Sequence, residues 1–225
     1  KYDTTNLTEK YFIDKDTLYP DNELYRNIPV VTVDNYVELG QITAIRFLEW
    51  VSRNPGGVIA LPTGKTPEFF IKWVEYYLEN WSKEVNNGLL AKIGFDPKWK
   101  PDMGSLTFFQ LDEFFPINPE HERSFNYFVN NFYIKQFGLD PKKTHLINTY
   151  HFNEAQKKLL GNRENLDQIF PDGNIDLSLR FKKPSTEREA LQQKAIKIFD
   201  EFCDEYEEKI REKGGIGFFL GGIGP

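Results

Sequence analysis

Gly57-Val58-Ile59-Ala60-Leu61-Pro62-Thr63-Gly64-Lys65-Thr66-Pro67 is the stretch that decides the fold. Its first half is wholly apolar and too short for a surface helix, so it reads as a buried strand. Its second half is punctuated by Pro62 and Gly64. Pro67 suits the first turn of a helix, which the following residues carry to about Trp81. A buried strand that runs through a glycine turn into a helix is half of a β-α-β unit.

The same alternation continues in both directions. Upstream, Val37, Ile42, Ile45, Phe47, Leu48 and Val51 mark a helix that starts near Asp34 and ends before Asn54-Pro55-Gly56. Downstream, a loop rich in Lys, Gly and Pro (92–104) leads to a second apolar run, Leu106-Thr107-Phe108-Phe109-Gln110-Leu111, closed by Asp112-Glu113. A helix is expected over 124–138 and a short strand over 144–147. A long amphipathic helix over 186–213 stops at Gly214-Gly215, and a last strand follows over 217–220. Near-continuous apolar strands alternating with helices predict a three-layer α/β domain of Rossmann-like type, its mostly parallel sheet covered on both faces. Residues 1–33 are polar and tyrosine-rich and end in Ile28-Pro29-Val30-Val31; they read as an arm packed on the domain that spans 34–225. Residues 150–184, with the turn signal Phe170-Pro171-Asp172-Gly173-Asn174, read as an insertion or flap at the domain edge.

Composition narrows the function. The chain has 225 residues, 40% hydrophobic and 28% charged, and a formal charge of −6. That charge argues against a nucleic-acid partner, which needs a clustered basic face. No run approaches the roughly 18 apolar residues of a membrane span. One cysteine, Cys203, forms no internal disulfide and suits a reducing compartment such as the cytoplasm. His121, His145 and His151 show no zinc-ligand spacing, and no metal or other cofactor is expected. Of these, His121 reads as a solvated loop residue and the other two as structural. The 20 Phe and 11 Tyr supply aromatic layers between helices and sheet.

Ligands of parallel sheets bind beyond the carboxyl ends of the strands, and three such ends carry chemistry here. At Pro62-Thr63-Gly64-Lys65-Thr66, a glycine turn, two hydroxyls and a helix start make a phosphate cradle, although a plain strand-to-helix turn fits this segment equally well. Gly64-Lys65-Thr66 is not a nucleotide P-loop, because Ile59 stands where that motif needs its first glycine. Asp112-Glu113 places two carboxylates where partial burial raises a pKa for proton shuttling; the alternative is one capping residue and one solvated residue. Gly221-Gly222-Ile223-Gly224 is either a tight turn or an anion loop.

Together, in this order, these motifs resemble the glucosamine-6-phosphate deaminase/isomerase family. The residues that carry the likeness are Leu61 to Pro67, Leu111-Asp112-Glu113-Phe114, Ser124-Phe125-Asn126-Tyr127-Phe128, Tyr206-Glu207-Glu208-Lys209-Ile210 and Gly221 to Gly224. The resemblance implies conversion of glucosamine 6-phosphate and water to fructose 6-phosphate and ammonia, without a cofactor, in amino-sugar catabolism. It implies that Pro62, Thr63, Gly64, Lys65 and Thr66 hold the phosphate and that Asp112 moves the C1/C2 proton. Glu113 would orient Asp112 or nearby backbone, and Gly221, Gly222 and Gly224 would approach the sugar. Lys65 departs from the small residue expected in that loop. Members commonly form homo-oligomers, and the resemblance implies one here, with a small-molecule sugar phosphate as partner. The family's aspartate-glycine-histidine run, which opens the sugar ring, would follow Pro225. With Lys1 in place of a methionine, the chain is therefore expected to be a piece of a longer enzyme and inactive alone. A 6-phosphogluconolactonase-like hydrolase is the nearest rival, disfavoured by Phe114 and Phe125; a non-catalytic sugar-phosphate binder is the other.

Overall fold

Four short strands, Val58–Ala60 (β1), Thr107–Phe109 (β2), Thr144–His145 (β3) and Phe218–Phe219 (β4), pair in the order β3-β2-β1-β4, every pair parallel. This is the computed structural model of the chain, which describes residues 5–13, 31–115, 117–149, 153–160, 163–171 and 173–222. The register aligns Ile59 with Phe108 on one side and with Phe218 on the other. All three residues of β1 and of β2 are buried, as strands covered on both faces must be. The expected three-layer, Rossmann-like α/β architecture is what the chain adopts. Ile28, Pro29 and Val30, His151, Asp172, Gly224 and Pro225 lie outside the described residues.

The chain divides into two units. The first holds residues 1–109, 128–145 and 217–225, and with them the whole sheet. Its helices are Leu7–Ile13 (α1), Tyr36–Arg53 (α2), Glu68–Glu79 (α3), Trp81–Asn87 (α4) and Leu89–Ile93 (α5). The helical run that begins at Phe125–Phe128 (α6) continues through a π-helical turn, Val129–Ile134, into Lys135–Phe137 (α7). Asn35 caps α2 by accepting the Glu38 N–H at 3.0 Å, and Asn54 closes it before Pro55-Gly56. Aromatic residues of α2, α3, the π-helical run and β4 form a connected cluster. Phe47 of α2 meets Phe70 of α3 at 5.5 Å and Phe218 of β4 at 5.2 Å, while Phe137 meets both Phe70 and Tyr133. The helix expected to stop near Trp81 ends at Glu79, and α4 and α5, separated by Asn80 and Gly88, fill the interval before the loop expected from Lys92, which begins after Ile93.

Glu49, fully buried in α2, ties down α1. Its carboxylate accepts from Leu7 N (2.6 Å), Thr8 N (3.0 Å) and Thr8 Oγ1 (2.6 Å), and pairs with Arg53 at 2.9 Å. A charge on α2 thus satisfies the first amides of α1, which have no partner within their own helix.

The second unit holds residues 110–127 and 146–216. Its long helix, Glu187–Glu212 (α10), starts with a side-chain cap: Thr186 Oγ1 accepts from Glu189 N, and Glu189 reaches back past the cap to accept from Ser185 N. The segment 150–184, expected as an insertion or flap, contributes two seven-residue helices, Glu154–Leu160 (α8) and Arg163–Ile169 (α9). Leu160, Ile169 and Phe170 bury themselves with Ala195 of α10, and Phe115 and Phe199 pack against that cluster. Each helix is too short to hold its shape alone and depends on that burial. Among the described residues, no helix is long and apolar enough to cross a membrane.

Candidate active site

The strand order places a topological switch point beside β1. From β1 the chain steps to β2 and then β3 on one side; β4 returns to pair on the other. At such a point the loops leaving neighbouring parallel strands diverge and leave a crevice for a ligand. The loops that leave β1 and β4 are those of Pro62 to Thr66 and of Gly221-Gly222.

Residues Leu61 and Pro62 are buried, Thr63 and Gly64 are half-buried, and Lys65 and Thr66 are exposed. Gly64 has φ +82°, a left-handed conformation that a side chain strains. Within the turn, Glu68 N donates to Lys65 O (3.2 Å) and Ile71 N to Pro67 O (2.9 Å). The amides of Thr63, Gly64, Lys65 and Thr66 donate to no acceptor among the described residues. Four successive unengaged amides in a turn that includes a left-handed glycine form the kind of concave donor set that binds anions. A Cβ placed on Gly222 would lie 3.4 Å from Thr66 Cγ2 and 3.6 Å from Pro62 Cβ, so the β4 loop rests directly against this turn. Gly221 precedes it, and Gly224 falls outside the described residues.

Lys65, the unexpected residue, lines with Gly64 a separate cavity of about 400 Å³ whose other walls include Glu68 and Lys72 of α3, Phe128 and Phe132. The Lys72 hydrogen bond and charge, and to a lesser degree Lys65, hold the Glu68 carboxyl below the usual range. Thr66 faces the Gly222 loop while Lys65 borders this groove, so the two side chains serve different sides of the turn.

In the second unit the two adjacent carboxylates have different surroundings. Glu113 is fully engaged: it accepts from Ser124 Oγ (2.7 Å), Phe125 N (3.0 Å), Asn126 N (2.8 Å) and Phe114 N (2.9 Å). It therefore serves as a remote cap for α6, and Ser124 is buried beneath it. Asp112 is exposed, and its carboxylate accepts no hydrogen bond among the described residues. Partial desolvation, reinforced by the neighbouring Glu113 charge, raises its pKa above the ordinary aspartate value.

Gln110, which sequence reasoning passed over, organises this segment. It is 1% exposed; Nε2 donates to Asp112 O (2.7 Å), Oε1 accepts from Ile147 N (3.0 Å), and its backbone carbonyl accepts from Tyr206 Oη (2.8 Å). An amide in an otherwise apolar strand is the signal that could have flagged it. His145 stacks on Phe109 at 4.4 Å, and His121 Nδ1 accepts from Arg123 N within an exposed loop. A cavity of about 530 Å³ walled by Phe115, Leu166, Phe170 and Phe199 contains none of the predicted site residues.

A parallel sheet in this strand order, with an amide-lined glycine turn at its switch point, defines a Rossmann-like α/β protein and makes that turn the candidate site. The chain is 29% identical over 204 residues to glucosamine-6-phosphate deaminase of Clostridium tetani, covering 84% of this chain and 75% of that protein. Over that length the chain is similar to a glucosamine-6-phosphate deaminase. Proteins of the same name from Halothermothrix orenii (25% identity, 87% of this chain) and, as glucosamine-6-phosphate deaminase 1, from Homo sapiens (26%, 76% of this chain) are also similar. The matches span 55% and 39% of those two proteins, so the chain corresponds to about half or less of their length. A solved monomeric glucosamine-6-phosphate deaminase aligns with a TM-score of 0.42 and 17% identity, over 63% of this chain and 50% of that one. No family model matches the chain.

Proposed function

We propose that the protein to which this chain belongs converts glucosamine 6-phosphate and water to fructose 6-phosphate and ammonia. The observation that carries this reading is the run of four unengaged amides, Thr63 to Thr66, at the switch point and against Gly222. It offers donors to a phosphate ester without requiring a basic cluster, in keeping with a chain of net charge −6. Pro62 shapes the turn and Thr66 adds a hydroxyl, while Gly221, Gly222 and Gly224 leave room for the sugar.

In the open-chain aldose, Asp112 removes the proton from C2 and a proton is returned to C1. The amine-bearing C2 becomes an imine, water adds to it, and ammonia leaves the resulting carbinolamine to give the ketone. Atoms balance without any oxidant. Asp112 suits this task because its carboxylate is unencumbered and its pKa is raised, which makes it a stronger base once ionised. Glu113 is the positioning partner, since its oxygens are committed to the α6 cap. The same reading makes the enzyme cytoplasmic and homo-oligomeric, with no nucleic-acid or membrane partner. One cysteine, Cys203, exposed and free, supports the reducing compartment.

Protein made from the complete reading frame should release ammonia from glucosamine 6-phosphate and leave 6-phosphogluconolactone unchanged. The 225-residue chain should bind glucosamine 6-phosphate by calorimetry. Turnover of the lactone instead, or no binding of either sugar phosphate, would remove the proposal.

A further inference from the structure

The Pro62 carbonyl points away from the turn's donors and into the core, where a single buried hydroxyl meets it. Tyr133, fully buried in the π-helical turn, donates that hydroxyl to Pro62 O across 71 residues of sequence. The ring is fixed on three sides, by Phe108 of β2 at 5.7 Å, Phe128 at 5.8 Å and Phe137 at 5.2 Å. In the π-helical turn Lys135 N donates to Asn130 O, an i to i+5 step, and the same spacing brings Phe128 and Tyr133 side by side. Among the described residues Tyr133 Oη donates to nothing else. Burial keeps the hydroxyl well above the ordinary tyrosine range, so it remains a donor at every working pH.

A peptide unit is planar and trans, so its C=O and N–H point to opposite sides. Fixing Pro62 O inward therefore fixes Thr63 N–H outward, as the first of the four unengaged amides. We propose that Tyr133 is a positioning residue for anion binding: by holding the Pro62–Thr63 peptide it sets the direction of the cradle's first donor. The inference rests on the sugar-phosphate reading above and adds to it a residue outside every motif that suggested that reading.

The test compares Tyr133→Phe with Tyr77→Phe. The control removes an equally buried hydroxyl in the same unit, one that accepts from Gln41 Nε2 at 3.0 Å and lies outside the cradle. Phenylalanine keeps each ring and its packing, so both variants retain the aromatic layer. Calorimetry with inorganic phosphate on the 225-residue chain should show Tyr133→Phe binding about three- to tenfold more weakly, as expected for one misdirected donor. Tyr77→Phe should match wild type. In protein from the complete reading frame the same change should raise KM by a similar factor and leave kcat within about twofold, because the loss is one of ground-state and transition-state binding alike. Unchanged phosphate affinity in Tyr133→Phe, or equal losses in both variants, would overturn the assignment. Should wild type bind no phosphate, the functional reading fails and the backbone amide NMR shift of Thr63 decides the anchoring by itself. A shift at Thr63 in Tyr133→Phe, absent in Tyr77→Phe, sustains it, and a Thr63 resonance unmoved from wild type refutes it.

Discussion

Asp112 and Glu113 are neighbours in the chain with opposite surroundings, and two substitutions should separate them. Asp112→Asn removes a carboxylate that accepts no hydrogen bond among the described residues, so turnover should fall about 10²- to 10⁴-fold while the fold is retained. Its effect on pH dependence has a definite sign. A carboxyl whose folded pKa is raised binds its proton more tightly in the folded state, so stability falls as pH rises from about 4 through the raised value and then levels off. Urea unfolding of Asp112→Asn should show that decline reduced; an unchanged profile would mean that Asp112 is not desolvated. Glu113→Ala, by contrast, strands the amides of Phe125 and Asn126 and the Ser124 hydroxyl. It should cost about 2–3 kcal/mol of stability in the same urea measurement. The sequence showed that two carboxylates follow an apolar strand. It could not show which one is engaged, because the donors come from Ser124, Phe125 and Asn126, eleven to thirteen residues away. Gln110 and Tyr133 were opaque for the same reason: their partners, Ile147 and Pro62, are long-range.

At the scale of elements, local signals were legible wherever one chain segment supplies its own stop and start. Asn35 and Asn54 bracket α2, and Thr186 with Glu189 opens α10, close to the positions that side-chain chemistry predicts. The segment after α3 carried no reading, and there Trp81, Val85, Leu90 and Ile93 are the buried residues of α4 and α5 past the break at Asn80. Close packing between elements leaves a different trace, a glycine inside a helix. Gly40 sits in α2 where a Cβ would come within 2.6 Å of Phe69 Cβ and 2.8 Å of Phe70 N on α3. Backbone cannot yield as a flexible side chain would, so Gly40→Ala should push the two helices apart. The expected cost is about 1–3 kcal/mol despite alanine's better helix propensity. Thermal melting checks this, and a variant as stable as wild type would show that α2 and α3 can separate freely.

The whole molecule follows one topological decision: β4 pairs with β1 rather than continuing beyond β3. Apolar strands and helical spacers predicted a parallel sheet, but strand order depends on which edges meet and left no mark in any single segment. That order brings the Gly222 loop against Thr66 and Pro62, the arrangement that the proposed anion site needs. The consequence is measurable without any catalytic assay. All four tryptophans, Trp50, Trp73, Trp81 and Trp99, belong to the first unit, so tryptophan fluorescence reports the melting of the unit that contains the turn. A ligand that binds only the folded state stabilises it by about 2.7 kcal/mol at one hundred times its dissociation constant. For a chain of this length each kcal/mol moves the midpoint by roughly 2–4 °C. Glucosamine 6-phosphate at that excess should therefore raise the fluorescence midpoint by roughly 5–10 °C. Gly64→Ala meets no atom within 4 Å of its new methyl but forces a side chain to φ +82°, so its penalty is backbone strain of about 1 kcal/mol and a displaced turn. The variant should melt a few degrees lower without ligand and gain less from the sugar phosphate than wild type does. Equal ligand-induced gains in both proteins would place the bound phosphate away from the turn after β1.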